Sequence, residues 1–424
     1  MSRILATYLI ETSHPIDEAA ESMAGEQSSG TFVDVPGETD ELRERHGARV
    51  ERVTELETVD EPSLPGSAPP EGATEPVQYT RAEVDLSFPL ENVGPSLPNL
   101  LTTVAGNLFE LTPFSGLRLR ELDIPAAFAD ACPGPQFGIE GTREVVDVWG
   151  RPIVGTIIKP NVGLSPTETA EITETMVDSG LDFIKDDELI ADPPYSPLEE
   201  RVEAVMDIVH RHEDRTGETI MYACNITGDV AEMKERHDAV VEAGGNCVMV
   251  SINSVGLSGF LELRRHAELP IHAHRNGWGA LSRCPQLGFD YAAYQVFWRL
   301  AGADHMHVNG IRNKFCESDA SVVASARACQ RPIVDDADTV MPVFSSGQWA
   351  GQAPDTYEAL GNVDLMYLAG GGIMGHPDGP AAGVAHLKQG WKAAMEGIPL
   401  ETYAEDHEEL RRAIKYFGPV GSCR

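Results

Sequence analysis

The feature that most constrains the fold is a repeat in which short apolar runs, each ending in polar or glycine residues, alternate with helical segments. In the helical segment "SPTETAEITETMVDSG", Ser165 stands at the N-cap position. Strand and helix alternating eight times is typical of a (β/α)8 barrel, whose active site lies at the C-terminal ends of the strands. The eight runs are "IVGTIIKP" (153–160), "LDFIKDDE" (181–188), "IMYACNIT" (220–227), "NCVMVSIN" (246–253), "PIHAHRNG" (270–277), "DHMHVNG" (304–310), "VMPVFSSG" (340–347) and "DLMYLAGGG" (364–372).

The residues before this repeat are less regular. Strand-like runs such as "ILATYLIE", "ARVERVTEL" and "VQYTRAEVDLSFP" mix with helical segments and a Pro- and Gly-rich loop over residues 60–76. We therefore predict an α/β protein with a C-terminal (β/α)8 TIM barrel, residues 135–424. A small α+β ferredoxin-like domain, residues 1–134, precedes it.

The composition excludes several kinds of partner. The formal net charge is −35, from 67 acidic and 32 basic residues, which argues against binding to nucleic acid or to an anionic membrane. No apolar run reaches the ~18 residues of a membrane span, and the N-terminus lacks a signal-peptide pattern. The seven cysteines form no Cys-x-x-Cys pair, which favours reduced thiols. We expect a soluble, cytoplasmic protein.

Lysine is rare enough that its positions carry information. The chain has seven lysines and none in its first 158 residues, yet Lys159 and Lys185 both fall at the ends of neighbouring predicted strands. A lysine at a strand end can pair with a carboxylate or act as a general acid or base. Both readings stay open for Lys159.

The run "LDFIKDDELIADPP" (181–194) takes an apolar strand directly into a lysine and three carboxylates. Lys185 and Asp187 share one face of a strand because they are two residues apart, and Glu188 follows the strand end. Mg²⁺ prefers oxygen ligands, and the carbamate formed by a lysine and CO₂ would supply another one. The alternatives are an internal salt bridge or a Schiff-base lysine.

Groups suited to phosphate follow the later strands. Arg275 has a planar fork that pairs with phosphate in a bidentate manner. The loops "SSGQ" and "AGGGIMGHPDG" allow backbone N–H groups to approach an anion. The histidines of "HAHRNG" and "HMHVNG" could bind zinc, but the carboxylates already offer a site for a hard metal, so we prefer phosphate-binding or supporting roles. These histidines are His272, His274, His305 and His307.

The motifs "GTIIKPNVGLS", "GLDFIKDDE", "NITG", "IHAHR", "HMHVNG", "PVFSSG" and "GGGIMGHPDG", in this order, resemble the large subunit of RuBisCO. The segments "GEQSSGTF" and "VAGNLFELTPFSGLRLRELDIP" are similar to that family's N-terminal domain, so the resemblance covers almost the whole chain. It implies that Lys185 is carbamylated and that Lys185, Asp187 and Glu188 bind the cofactor Mg²⁺.

The same resemblance implies roles for further residues. Lys159 would move protons, His274 and Arg275 would act as a pair in which the arginine holds phosphate, and Lys314 would belong to a mobile loop. A second subunit would contribute three N-terminal residues to the site, so the resemblance implies at least a homodimer. Those three residues are Glu26, Thr31 and Asn107, and the remaining phosphate and substrate contacts would be His307, Ser345, Gly347, Gly371 and Gly372.

Several positions depart from the carboxylase pattern. A Lys-Pro-Lys motif is replaced by "KPN" with Asn161, and a second strand-five histidine is replaced by Trp278. The mobile loop reads "NKFCES", and Phe32 stands where the family has tryptophan. The sequence therefore resembles a RuBisCO-like protein (form IV) rather than a CO₂-fixing carboxylase.

The retained residues share the task of stabilising an enediolate with a metal ion, while Lys159 or Lys314 handles a proton. The wording of "GEQSSGTF" and "IIKPNVGLSP" is most similar to the apiose-catabolic branch, so we predict a carboxy-lyase that decarboxylates 3-oxo-isoapionate 4-phosphate. Alternatives are a transcarboxylase/hydrolase acting on that sugar phosphate, or an isomerase or enolase of methylthio-sugar phosphates in methionine salvage. Two further classes are a Schiff-base aldolase that uses Lys185 and a non-catalytic sugar-phosphate binder.

Overall fold

The computed structural model describes residues 2–30, 35–73 and 76–418. The chain divides into two compact units. Unit 1 comprises residues 1–134, 277–301 and 333–336, and unit 2 comprises residues 135–276, 302–332 and 337–424. The predicted boundary at residue 134 stays a prediction, and unit 1 also takes in two later segments that a single cut would assign to the barrel.

Unit 1 contains a five-stranded sheet with the order β10-β4-β1-β3-β2. Its strands are β1 Arg3–Thr12, β2 Arg49–Val59, β3 Tyr79–Pro89, β4 Phe114–Asp123 and β10 Leu287–Phe289. Alternate residues of β1, including Ile4, Ala6 and Tyr8, are buried, as expected for a strand with one face against a core. The described helices of unit 1 are α1 Ile16–Glu26, α2 Asp40–His46, α3 Leu90–Val93, α4 Leu97–Ala105, α5 Ala126–Ala129, α11 Trp278–Ser282 and α12 Tyr291–Ala301.

The sheet of unit 1 is completed by a strand that the sequence analysis did not predict. β10 runs parallel to β4, whereas β1 pairs antiparallel with β3 and β4. The guanidinium of Arg118 on β4 ties the two together, since it donates hydrogen bonds to the Asp290 carboxylate. It also donates to four backbone carbonyls, those of Ser282, Cys284, Leu287 and Phe289.

Unit 2 contains a closed barrel of eight parallel strands in the order β11-β12-β13-β5-β6-β7-β8-β9. The predicted (β/α)8 barrel is therefore confirmed, and each predicted run contains one of its strands. The strands are β5 Ile153–Ile157, β6 Phe183–Lys185, β7 Met221–Asn225, β8 Cys247–Ser251, β9 Ile271–His274, β11 His305–His307, β12 Met341–Phe344 and β13 Met366–Leu368.

Helix α7 of unit 2, Pro166–Val177, begins at the predicted cap. The Ser165 hydroxyl accepts from the Glu168 N–H, and the Glu168 carboxylate accepts from the Ser165 N–H, which forms a capping box at the start of α7. In the described parts of the chain, no helix is both long and apolar enough to cross a membrane. The described helices of unit 2 are α6 Gly138–Val146, α7 Pro166–Val177, α8 Leu198–Thr216, α9 Val230–Glu242, α10 Ile252–His266, α13 Asp319–Gln330, α14 Ala353–Leu360, α15 Gly370–Met374, α16 Pro380–Glu396, α17 Leu400–Tyr403 and α18 Glu408–Phe417.

Apolar side chains fill the barrel interior. Phe183, Met221, Met249, Met341 and Met366 belong to one buried cluster that draws on six strands. The packed interior also contains buried histidines and leaves no open channel, so a substrate can meet polar groups only where the strands end. The site is therefore sought at the C-terminal ends of the strands.

Candidate active site

Lys185 is the last residue of β6, and its side chain is only 1% exposed. Its ammonium nitrogen lies 2.9 Å from the Asp186 carbonyl oxygen, 3.2 Å from Glu188 Oε2 and 3.5 Å from Met249 Sδ. Burial lowers the pKa of Lys185, although the nearby Glu188 and Asp187 carboxylates act in the opposite direction. A larger share of this amine is therefore uncharged than for an exposed lysine, and the uncharged amine is the form that adds CO₂ or a carbonyl group.

Lys159 and Asp187 form a second lysine–carboxylate contact beside the first. β5 and β6 pair with Ile157 opposite Lys185, so the residues that follow the two strands emerge together. Lys159 Nζ lies 2.6 Å from Asp187 Oδ2 and 2.9 Å from Asn161 Oδ1. The structure thus brings Lys159, Lys185, Asp187 and Glu188, four predicted site residues, to one place at the barrel mouth.

Asp186 points away from these groups and has a different set of partners. Its carboxylate accepts hydrogen bonds from the Tyr222 hydroxyl at 2.7 Å, the Asn225 N–H at 3.0 Å and Arg201 Nε at 3.3 Å. Side chains alternate along an extended chain, so Asp186 lies on the opposite face from Lys185 and Asp187. The acidic run therefore contains one carboxylate that holds the barrel wall together and two that face the mouth.

The groups at the mouth fit a hard divalent cation. Asp187 and Glu188 present carboxylate oxygens, and a carbamate on Lys185 would add another anionic oxygen donor beside them. An all-oxygen donor set of this kind suits Mg²⁺ rather than a softer metal. The Lys185 ammonium itself is no ligand, so the fit depends on its modification.

Three buried histidines form a column along the barrel interior. His272 Nδ1 lies 3.3 Å from His305 Nδ1, and His272 Nε2 lies 2.8 Å from His307 Nε2. At the upper end, His307 Nδ1 lies 3.2 Å from the Ser345 hydroxyl. Burial lowers the pKa of all three histidines, that of His305 to about 3. Ring nitrogens that bond to one another in this way are not free to bind zinc together.

One hydroxyl sets the direction of every hydrogen bond in this histidine column. Thr142 Oγ1 donates to the Gly138 carbonyl oxygen, so it can only accept from His305 Nε2, at 2.9 Å. With all rings neutral, His305 Nδ1 then accepts from His272 Nδ1–H, and His272 Nε2 accepts from His307 Nε2–H. The Nδ1 atom of His307 is consequently an acceptor that faces the barrel mouth.

His274 connects the histidine column to the carboxylates. Its Nε2 lies 3.6 Å from Glu188 Oε2, and its ring centroid lies 4.4 Å from that of His307. Burial, followed by the charge of Lys185, lowers the pKa of His274 to about 4. The structure therefore places His274 beside the predicted metal ligands, as a neutral ring.

Arg275, predicted to hold phosphate, is paired with a carboxylate. Its Nη2 lies 2.7 Å from Glu317 Oε2, and Asn309 Nδ2 donates to the same oxygen at 2.6 Å. Sequence reasoning did not find Glu317, because nothing in "NKFCES" reveals which side chain the loop turns back toward the barrel.

Lys314 lies in the same loop, close to the segment that follows β12. Its backbone N–H donates to the Ser346 carbonyl oxygen at 3.1 Å, while its ammonium lies 5.3 Å from the centre of the Phe315 ring. The backbone of Lys314 thus joins its own loop to the loop after β12, while its ammonium group lies over the Phe315 ring.

The glycines predicted to cradle phosphate lie in two loops with different constraints. Ser346 (φ 73°) and Gly347 (φ 92°) adopt left-handed backbone conformations. A Cβ at Gly372 would come within 2.5 Å of the Gln348 carbonyl oxygen, whereas one at Gly371 would meet none of the described residues within 4 Å. Gly372 therefore allows close packing of the two loops, and Gly371 presents open backbone.

The predicted N-terminal contributors belong to unit 1. Asn107 Nδ2 donates to Glu26 Oε1 at 3.1 Å, so this pair is held together within the unit. Thr31 and Phe32 lie outside the described residues. Trp278, which replaces a family histidine, is buried and packs on Tyr294 with ring centres 4.4 Å apart.

A separate group of metal-binding residue types lies on α9 and α10. His237, Asp238 and His266 offer ligand atoms within 4.8 Å of one another. His237 Nε2 accepts from the Glu268 N–H at 3.1 Å, so Nδ1 carries the proton and donates to Asp238 at 3.1 Å. His237 is therefore a hydrogen-bond donor to Asp238 rather than a free ligand, and this group is distinct from the predicted metal site.

Two family descriptions match the chain and together cover most of it. "Ribulose bisphosphate carboxylase large chain, N-terminal domain" matches residues 1–128, and "Ribulose bisphosphate carboxylase large chain, catalytic domain" matches residues 138–417.

Two similar proteins align with this chain over almost its whole length. A protein from Xanthobacter autotrophicus named 3-oxo-isoapionate-4-phosphate transcarboxylase/hydrolase is 54% identical over 98% of this chain and 99% of its own. A protein from Rhizobium etli named 3-oxo-isoapionate-4-phosphate decarboxylase is 50% identical over 98% of each chain.

Solved structures give the same result. A RuBisCO-like protein from Burkholderia fungorum superposes with a TM-score of 0.92 at 47% identity, over 98% of this chain and 100% of that one. The RuBisCO of Pyrococcus horikoshii, described as octameric, superposes with a TM-score of 0.85 at 32% identity, over 98% and 95% of the two chains. With the barrel, the clustered lysines and carboxylates and these matches in agreement, the chain belongs to the RuBisCO large-chain family, as a RuBisCO-like protein.

Proposed function

We propose that this protein is a Mg²⁺-dependent carboxy-lyase that decarboxylates 3-oxo-isoapionate 4-phosphate and does not fix CO₂. The observation that carries the proposal is the convergence of Lys159, Lys185, Asp187 and Glu188 at the ends of two neighbouring strands. The substrate is taken from the names of relatives that are 50% and 48% identical to this chain.

In this proposal Lys185, as its carbamate, would hold Mg²⁺ together with Asp187 and Glu188. When bound, Mg²⁺ supplies positive charge that offsets the negative charge developing on the substrate oxygens. The bond to the carboxylate carbon breaks, CO₂ leaves, and the electron pair stays on the substrate carbon. Lys159 then supplies the proton to that carbon, because its ammonium group lies beside Asp187.

The phosphate group would bind where the loops after β12 and β13 meet. Ser345 offers a hydroxyl, Gly347 and Gly371 expose backbone at the mouth, and Gly372 lets the two loops pack closely enough to form the cradle. His274 and His307 would contact the substrate between phosphate and metal, because His274 adjoins Glu188 and His307 adjoins Ser345.

A second candidate reaction is net hydrolysis of the same substrate. The 54% identical relative is named a transcarboxylase/hydrolase, and its overall similarity to this chain is no lower than that of the decarboxylases. A hydrolytic reaction would keep the carboxyl carbon in an acid product and would release no CO₂.

The carboxyl carbon decides between the two reactions. We would incubate 3-oxo-isoapionate 4-phosphate, ¹³C-labelled at the carboxylate, with the enzyme, Mg²⁺ and bicarbonate, and follow the label by ¹³C NMR. We expect the label in CO₂ and bicarbonate, with no signal change in an EDTA control or with Lys185→Met. Label retained in a carboxylic acid would establish the hydrolytic reaction. If the protein binds Mg²⁺ but does not turn the compound over, 3-oxo-isoapionate 4-phosphate is not its substrate.

We further propose that the protein is at least a homodimer in which Glu26, Thr31 and Asn107 of one copy complete the site of another. The solved relatives described as octameric and dimeric support an assembly. Equal amounts of inactive Glu26→Gln and Lys185→Met variants, mixed under subunit exchange, should regain about a quarter of wild-type activity. No recovery despite exchange would exclude shared sites. The cytoplasmic location stays a prediction.

A further inference from the structure

Glu317 fills the place at the ends of β9 and β11 where Arg275 would otherwise meet an anion. Its Oε2 accepts hydrogen bonds from Arg275 Nη2 at 2.7 Å and from Asn309 Nδ2 at 2.6 Å. The Arg275 side chain is 5% exposed and that of Glu317 is 13% exposed. A carboxylate of the chain itself therefore neutralises the guanidinium in a largely buried setting.

The Glu317 side chain is also held by residues of its own loop and of α13. Its other oxygen, Oε1, accepts from the Ser321 hydroxyl at 2.8 Å. Its backbone carbonyl accepts from Asn313 Nδ2 at 3.1 Å. Donors on three different segments thus fix the carboxylate in position, so it is not a mobile surface group that a ligand displaces at no cost.

A phosphate at Arg275 would have to compete with this carboxylate. Two N–H donors converging on one anionic oxygen form the same kind of arrangement that holds a phosphate oxygen. If Glu317 stays, the phosphate dianion faces a carboxylate in a site partly shielded from water, where like charges repel strongly. If the Glu317 side chain moves away, its carboxylate loses the hydrogen bonds from Arg275 and Asn309.

The loops after β12 and β13 differ from the Arg275 region in having no carboxylate at the predicted phosphate contacts among the described residues. In the described parts of the chain, no carboxylate hydrogen-bonds to Ser345, whose hydroxyl meets His307 and Ser346. The backbone at Gly371 borders open space. One side of the mouth can therefore receive an anion, while the other already contains one.

Building on the proposed function, we propose that Glu317 is a specificity-determining residue that limits the site to substrates with a single phosphate. That phosphate binds beside Ser345 and Gly371. The Glu317 carboxylate occupies Arg275 Nη2 and Asn309 Nδ2 and excludes a second phosphate from these two donors. This role gives a physical reason for the altered loop "NKFCES".

The test compares a bisphosphate with a monophosphate by isothermal titration calorimetry. The probes are ribulose 1,5-bisphosphate and ribulose 5-phosphate, titrated into the full-length protein with Mg²⁺ and bicarbonate. In Glu317→Gln, which keeps an acceptor oxygen for Asn309, the Kd of the bisphosphate should fall by at least about tenfold. The Kd of the monophosphate should change by less than about twofold. Glu358→Gln, which removes one exposed charge from α14, is the matched control.

Glu317→Ala provides a second variant that removes the carboxylate without a replacement. An unchanged ratio of the two Kd values in both variants would overturn the proposal, and so would an equal gain or an equal loss for both ligands. The assay measures binding and not turnover. A failed decarboxylation experiment would therefore leave this result interpretable, and a failed binding experiment would leave the reaction intact.

Discussion

Lys159 Nζ lies 2.6 Å from Asp187 Oδ2, so the proposed proton donor contacts a carboxylate that is also a proposed ligand of the metal ion. Asp187 is almost fully buried and Lys159 is about one-third exposed. Because a cation at Asp187 and the Lys159 ammonium draw on the same negative charge, each should weaken the hold of the other. The pair therefore links proton transfer to metal binding.

Lys159→Met should separate these two functions. We expect turnover to fall by at least about 100-fold, since the proton donor is lost. Mg²⁺ binding, measured by calorimetry in bicarbonate, should be retained or become tighter because Asp187 is no longer shared. The control is Lys388→Met, a lysine of similar exposure that bonds to the Gly180 carbonyl oxygen. Wild-type turnover in Lys159→Met would remove Lys159 from the reaction.

Carbamylation of Lys185 should occur at a lower pH than for an exposed lysine. Burial lowers the pKa of Lys185 in the fold, so the uncharged amine becomes available as the pH rises toward a value below the ~10.4 of an ordinary lysine. With ¹³C-bicarbonate, a carbamate signal should therefore appear in ¹³C NMR well below that pH and strengthen as the pH rises. A signal that persists in Lys185→Met would assign the carbamate elsewhere.

Asp186 and Asp187, though adjacent, should respond oppositely to the same change. Asp186→Asn leaves the buried Arg201 without its carboxylate, which should lower the free energy of unfolding by about 3–5 kcal/mol. Asp187→Asn should abolish Mg²⁺-dependent turnover with little loss of stability. Thermal unfolding and activity measured on both variants would show this contrast. Equal destabilisation by the two substitutions would contradict it.

The Thr142 hydroxyl should control the protonation pattern of the histidine column from its far end. Thr142→Val removes the acceptor for His305 Nε2–H, so the fixed tautomers of His305, His272 and His307 should become mixed. ¹⁵N NMR of histidine-labelled protein reports each tautomer directly. The control is Thr173→Val, because Thr173 is a buried threonine whose hydroxyl donates to the Thr169 carbonyl oxygen of its own helix. Unchanged ring signals in Thr142→Val would disprove the link.

The parts of the fold and site that the sequence predicts are those governed by local periodicity. Short apolar runs mark the barrel strands, which are buried on both faces, and the rule that the active site lies where the strands end places Lys159, Lys185 and Asp187 together. The alternation of side chains along an extended chain accounts for Asp186 on the opposite face.

Features that depend on the path of a loop were not predictable in this way. The pairing of Glu317 with Arg275 joins residues 42 positions apart through an irregular segment. β10 has only three residues, none of them buried, and it pairs through its backbone with β4, which lies far earlier in the chain. The contact of the Lys314 ammonium with the Phe315 ring depends on the path of the same segment, and the role predicted for Lys314 stays a prediction.

The membership of β10 in the first sheet has a consequence for biosynthesis. During translation the ribosome releases residues 1–134 long before residues 282–290, which supply the acceptors of Arg118. The N-terminal sheet therefore emerges with the β4 edge unpaired and with the Arg118 guanidinium lacking its hydrogen-bond acceptors. It stays in this state until five barrel strands have been made. A nascent chain halted before residue 277 would expose that edge to strand pairing with a neighbouring chain.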